Sequence, residues 1–162
     1  MIKKEWNIIY AILISTLIVT GSLLTYTILN PPQKEKYISI SILNSDYIST
    51  GEITVENNTQ FTFYCLIQNR LGATVNITIE ILKGIITNTT NPSFTECTPY
   101  NNETRILQDN TQTLIPITDK INITTPQQTY IYYLKLHTYN PQENKTTYTG
   151  QWVAIQVNVT AA

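Results

Sequence analysis

The sequence predicts a mainly β protein, a single N-terminal transmembrane helix followed by an immunoglobulin-like antiparallel β-sandwich. Three observations carry that expectation. An uncharged apolar run fills Ile8 to Leu29, apolar and polar residues alternate in period two through most of the chain beyond Lys36, and no segment after Leu29 shows a helical apolar period. At 162 residues there is chain for one domain besides the helix. Charged residues are 13% of the chain and the net charge is −1, which excludes the clustered basic footprint of a nucleic-acid binder and the charge density of a disordered tail.

Residues 1–7 read as a short cytoplasmic leader and 8–29 as a signal anchor. As a helix the apolar run is about 33 Å long, enough for a hydrocarbon core of about 30 Å. Trp6, Tyr10 and Tyr26 fall where amphipathic rings favour the membrane interface. Pro31-Pro32 stops the helix. A cleaved signal peptide is the competing reading, with Thr20-Gly21-Ser22 as its small-residue site, but the apolar run continues through Leu23, Leu24, Ile28 and Leu29. Lys3 and Lys4 are balanced by Lys34 and Lys36, so charge does not orient the span. Orientation rests instead on seven Asn-x-Thr sequons at Asn57, Asn76, Asn88, Asn102, Asn122, Asn144 and Asn158, where chance in so Asn/Thr-rich a chain gives roughly three. The expected location is the cell membrane, single-pass, with the C-terminal domain extracellular and these asparagines glycosylated.

Residues 30–36 form a linker stiffened by the proline pair, and 37–160 the sandwich. Ile38, Ile40 and Ile42 share one face of the first strand, and Phe61, Phe63, Cys65 and Ile67 one face of another. Ala73, Val75, Ile77, Ile79 and Ile81 face the core, with Asn76, Thr78 and Glu80 outward. Tyr130, Tyr132, Leu134 and Leu136 point inward and Lys135 and His137 outward. The last strand buries Val153, Ile155, Val157 and Val159 and exposes Trp152, Gln156 and Asn158. Shorter candidates are Glu52 to Glu56, Thr104 to Gln108, Thr113 to Thr118 and Ile121 to Ile123. No second module is expected beyond the last strand.

The two cysteines are Cys65, inward in a strand, and Cys97, in a connection of about twenty residues from Lys83 to Glu103. A disulfide between them is permitted outside the cell and would stabilise by roughly 3–4 kcal/mol. The alternative is one buried thiol and a separate loop thiol.

The run ISILNSDYISTGEITVENNTQFTFYCLIQNRLGATVNITIEIL, with YIYYLKLHTYNPQ and WVAIQVNV later, resembles the soluble part of an archaeal membrane-protein family catalogued as domain of unknown function 1616. The likeness covers residues 37 to about 83 and 130 to 160. It implies an envelope-facing, membrane-anchored sandwich and brings no catalytic residues. Many members look like several membrane helices followed by this domain, whereas this chain has one span.

No constellation suggests an enzyme. His137 is the sole histidine, and there is no HExxH, CxxC or Gly-rich phosphate loop. No cofactor is expected. Calcium could be held only by carboxylates from separate loops, Asp46, Glu103, Asp109 and Asp119. Tyr130, Tyr132, Tyr133, Tyr139, Tyr148 and Trp152 form the other possible site, with Tyr139, Tyr148 and Trp152 its exposed part; such rings stack on sugars or anchor proteins. The expected function is a non-enzymatic interaction or structural module of an archaeal-type envelope. Its partners are the bilayer and envelope or membrane proteins, with carbohydrate binding through the Tyr/Trp cluster as the alternative.

Overall fold

The computed structural model describes residues 2–31, 35–87, 91–123, 128–141 and 143–160. The chain divides into two units, Met1–Glu35 and Lys36–Ala162.

The first unit is one helix, α1 (Ile2–Leu29). Its stretch Ile8–Leu29 is long and apolar enough to cross a membrane. Six Ser and Thr residues interrupt the aliphatic run, yet their hydroxyls are satisfied within the helix. Those of Ser15, Thr16, Thr20, Ser22, Thr25 and Thr27 each donate to a backbone carbonyl three or four residues earlier.

The second unit is a mainly β, immunoglobulin-like sandwich of eight strands: β1 (Tyr37–Leu43), β2 (Glu52–Glu56), β3 (Gln60–Arg70), β4 (Val75–Ile85), β5 (Thr98–Leu107), β6 (Thr111–Lys120), β7 (Gln128–Asn140) and β8 (Lys145–Thr160). One sheet has the order β1-β3-β6 and the other β2-β8-β7-β4-β5. Alternation places Ile38 and Ile42, Phe61, Phe63, Cys65 and Ile67, and Ile115 and Ile117 on the inner face of the three-stranded sheet. Opposite them lie Ile77, Ile79 and Ile81, Tyr132, Leu134 and Leu136, and Ile155, Val157 and Val159. Burying these aliphatic and aromatic faces against each other is what drives the two sheets together.

Among the described residues all strand pairings but one are antiparallel. β2 runs parallel to β8, from Glu52↔Gln156 to Glu56↔Thr160, because the chain leaves β1 in one sheet and joins the edge of the other. The Gln156 amide donates to the Gly51 carbonyl at 2.8 Å and starts that pairing. Two other expectations are corrected. Ile121 to Ile123 is not a strand; Ile121 and Ile123 instead plug the end of the core, held by Asn57, whose Oδ1 accepts from the Ile123 amide at 2.9 Å. The connection after β4 is also shorter than expected, since β4 continues to Ile85 and β5 begins at Thr98.

The disulfide is not formed. Cys65 and Cys97 are both free and buried. Cys65 belongs to the core between the sheets, whereas Cys97 packs with Leu82, Ile131 and Tyr133 in a separate cluster. Those three residues alternate with core-facing neighbours on β4 and β7, so the five-stranded sheet stands between the sulfurs. Burial raises the Cys65 thiol to about 12, and burial together with the Glu96 carboxylate raises that of Cys97; neither is poised as a thiolate.

One buried polar residue ties the turns at one end together. Asn69, fully buried, donates through Nδ2 to the carbonyls of Ala73, Leu107 and Gln108 at 2.8, 3.1 and 3.0 Å. Its Oδ1 accepts from the Leu71 amide. A planar amide fits this place because a carboxylate would face three carbonyl oxygens.

Candidate functional site

Outside the core, the two sheets present very different outer faces, and the residue parity fixed by the core decides which side chains appear on each.

On the five-stranded sheet, cross-strand pairing sets Glu80, Lys135 and Trp152 in one row. The next row holds Thr78, His137 and Tyr148. Lys135 Nζ donates to Glu80 Oε2 at 2.7 Å, and His137 Nε2 lies 3.1 Å from the same oxygen. The Lys135 hydrogen bond, with help from His137, outweighs desolvation and holds the Glu80 carboxyl below its ordinary 4.5. The Lys135 ammonium also sits over the rings of Phe94 and Tyr148, 5.7 and 5.3 Å from their centroids. Trp152, 49% exposed, is held by edge contacts from Phe94 and Tyr133, with centroids at 5.4 and 5.7 Å.

The structure therefore brings Tyr148 and Trp152 together around Lys135, but it does not add Tyr139, whose hydroxyl donates to Asn144 Oδ1 at 2.6 Å in the β7–β8 hairpin. Tyr133 is buried rather than available, with its hydroxyl donating to the Pro92 carbonyl at 3.0 Å. Phe94 was not among the expected site residues; it comes from the β4–β5 connection, which lies close over the sheet at Gly84. A Cβ on Gly84 would meet Cys97 Sγ at 2.6 Å and Pro92 Cγ at 2.7 Å, so only glycine lets the connection sit this low. Apolar residues at both parities of TYIYYL, with Ile131 and Tyr133 set between Tyr130, Tyr132 and Leu134, are the sequence signal that this face is covered there.

The remaining aromatics join a polar link between the sheets that sequence reading did not find. Lys83 of β4 donates to Asp119 of β6 at 2.6 Å, and the Tyr132 hydroxyl donates to the same carboxylate. The rings of Tyr100, Tyr130 and Tyr132 surround the Lys83 ammonium at 5.5, 5.0 and 5.5 Å. Burial alone would raise the Asp119 carboxyl, but the bonds from Lys83 and Tyr132 prevail and lower it from 3.8. Burial, then Asp119, raises the Tyr132 phenol. A cleft of about 490 Å³ lined by Lys83, Gly84, Pro92, Glu96, Thr98 and Tyr130 opens beside this cluster.

The carboxylates considered for calcium are not assembled. Asp119 pairs with Lys83, Glu103 with Arg105, and Asp109 accepts from the Gly72 amide. Among the described residues no group of three or more His, Cys, Asp or Glu converges.

The sequons divide by exposure. Asn102, Asn122 and Asn144 are exposed. Asn57 donates to the Ile123 carbonyl at 3.3 Å, and Asn158 bonds to Glu52 and to Thr129. Asn76 is half-buried with an unpartnered Oδ1. Asn88 lies outside the described residues.

The outer face of the three-stranded sheet contrasts with all this. Pairing sets Leu43, Tyr64 and Pro116 in one row and Ser41, Leu66 and Leu114 in the next. Leu114 is 44% exposed. Tyr47, in a turn whose φ of 61° is strained for a bulky residue, lays its ring 4.9 Å from that of Tyr64. Asn44 secures that turn by accepting from the amides of Asp46 and Ile48. Among the described residues of β1, β3 and β6, only Arg70 and Lys120, at opposite ends, bring charge to this face, and none of the seven sequons falls in these strands.

No family model matches the chain, and no curated protein does. Among solved structures it is similar to the CARDB domain of a Pyrococcus furiosus protein crystallised with di-metal ions. That likeness has 13% identity and a TM-score of 0.49 over 82% of this chain and 94% of that one. It is also similar to a β-glucosidase from Listeria innocua in complex with glucose, at 9% identity and TM-score 0.50, over 79% of this chain but 17% of that one. A Niemann-Pick type C2 protein from the Japanese carpenter ant matches at 9% identity and TM-score 0.40, over 80% and 96%. At such identities the likeness is one of fold alone.

Proposed function

We propose that this protein is a membrane-anchored, N-glycosylated module of an archaeal-type cell envelope, with its sandwich outside the cell, and that it works by non-enzymatic protein contact. The single observation that carries the reading is the outer face of the three-stranded sheet. Leu43, Tyr64, Leu66, Leu114 and Pro116 form an uncharged apolar surface with a strained tyrosine at its rim, on the one sheet that has no sequon. Apolar and aromatic surface that is left uncharged suits a protein interface, whose centre is depleted of charge and rich in Tyr. The apolar helix supports the anchor, and the exposed sequons support the outward placement. The resemblance to domain of unknown function 1616 agrees with this placement through the residues quoted for it.

The test is photo-crosslinking in the native membrane from two positions on the full chain. A photoreactive residue at Leu114 is expected to give a discrete higher-mass product. One at Thr104, on the outer face of β5, is expected to give none. Equal products from both positions, or none from Leu114, overturn the assignment of the contact face.

A further inference from the structure

The outer face of the five-stranded sheet is not a second copy of the contact face, because its chemistry is different. We infer that Trp152, with Phe94, Lys135, Tyr148 and Glu80 around it, is a binding platform for a pyranose sugar of a saccharide separate from this chain.

The aromatic part is fixed before any ligand arrives. Phe94, Tyr133 and Trp152 meet edge to face in a closed triangle, with centroids 4.9, 5.4 and 5.7 Å apart and interplanar angles of 86°, 81° and 66°. Tyr133 is locked below by its bond to the Pro92 carbonyl, and the connection bearing Phe94 is seated on Gly84. Trp152 is thus held by its neighbours while about half of it meets solvent. A rigid indole is suited to the flat C–H face of a pyranose, since no side-chain freedom is lost when the sugar stacks.

The polar part lies in the same row. Lys135 has three ammonium protons and gives one to Glu80 Oε2. Glu80 presents a second carboxylate oxygen, and both His137 and Tyr148 stand in the neighbouring row. A ring hydroxyl needs such donors and acceptors set to the side of the stacked face. The Lys135 and Glu80 charges neutralise each other, so the site fits an uncharged sugar better than an acidic one.

A sugar rather than a protein fits because of what flanks the platform, and this step rests on the outward, glycosylated reading above. Asn102, an exposed sequon, stands in the platform's own row beside Glu80 and three strands from Trp152, roughly 14 Å. Asn158 is six residues along β8 from Trp152, roughly 20 Å, and Asn76 is four residues along β4 from Glu80, roughly 13 Å. All three side chains are on this face. Glycans at these three positions crowd a broad protein partner and leave the Trp152 end of the row open to a narrow saccharide.

The test uses the full chain with Trp6→Phe in lipid nanodiscs free of glycoside detergents. Because the chain has two tryptophans, the remaining fluorescence is that of Trp152. Maltotriose, mannotriose and chitotriose are titrated separately. A saturable emission shift with at least one is expected, weakened about tenfold by Tyr148→Ala. In Lys135→Met, which keeps the aromatic triangle, the shift is expected to weaken as well. No saturable shift with any of the three overturns the inference, and so does a titration that both variants leave unchanged. Glycopeptide mapping reports on the other reading by itself: bare sequons throughout remove the outward placement, whatever the titration shows.

Discussion

The outer faces of the two sheets are built on inner faces of the same chemistry. Inside, the three-stranded sheet offers mainly Ile and Phe and the five-stranded sheet Ile, Leu, Val and Tyr, apolar on both sides and merged in one core. Outside, the three-stranded sheet carries Leu43, Tyr64, Leu66 and Leu114 between two distant cations, while the five-stranded sheet carries ion pairs, ring contacts and sequons. The lesson is that in a period-two protein one set of positions specifies the fold, and the set between them is left to specify what the surface meets. Substitutions can therefore be chosen to act on one set without the other.

The largest effect is expected where the sheets are alike. Phe63 on one side and Leu134 on the other are both fully buried in the shared core. Replacing either by Ala should cost about 3–5 kcal/mol, read by denaturant melts of the anchored protein. A marked inequality between them would show that one sheet carries the core and the other only covers it.

A smaller effect should follow where the sheets are linked. Lys83 and Asp119 are mostly buried, with side-chain exposures of 22% and 12%, and Lys83→Met should cost about 2 kcal/mol. The pH dependence has a definite sign. Since the folded Asp119 carboxyl lies below its ordinary 3.8, its stabilisation is complete above that pH and is lost as pH falls through the lower, folded value. Asp119→Asn should flatten that acid limb of a stability-against-pH curve. An unchanged limb would mean that the link does not couple the sheets.

What was legible in the sequence follows the same division. The inner residues of β1, β3, β4 and β8 were legible because burial on one side writes period two directly. β5 was not, and only Thr104 to Gln108 of Thr98–Leu107 was expected. Nearly every residue of this edge strand is exposed, so its apolar pattern is missing; Glu103 and Arg105 point to the side where a wider sheet overhangs a narrower one. The parallel β2–β8 pairing was hidden because its partners are some hundred residues apart. Lys83 and Asp119 read as scattered charges, since nothing local joins them. Of the site, Tyr148 and Trp152 were legible as outward aromatics, whereas Phe94 depended on where a connection lands.

The smallest stability effect should be the most telling about function. Leu66 points out of the three-stranded sheet, half-buried between Ser41 and Leu114, while its neighbour Ile67 is fully buried. In Leu66→Lys the long side chain can lay its methylenes over the same surface and keep its ammonium in water, so stability should change by no more than about 0.5 kcal/mol. A charge at the centre of an uncharged contact must be desolvated on docking, however, and the cross-link from Leu114 should disappear. The same charge placed at Thr104, on the other outer face, should leave the cross-link intact. If Leu66→Lys leaves the cross-link in place at unchanged stability, the bare apolar face is not the contact, and the difference between the two faces then belongs to the sandwich's solubility instead of its partner.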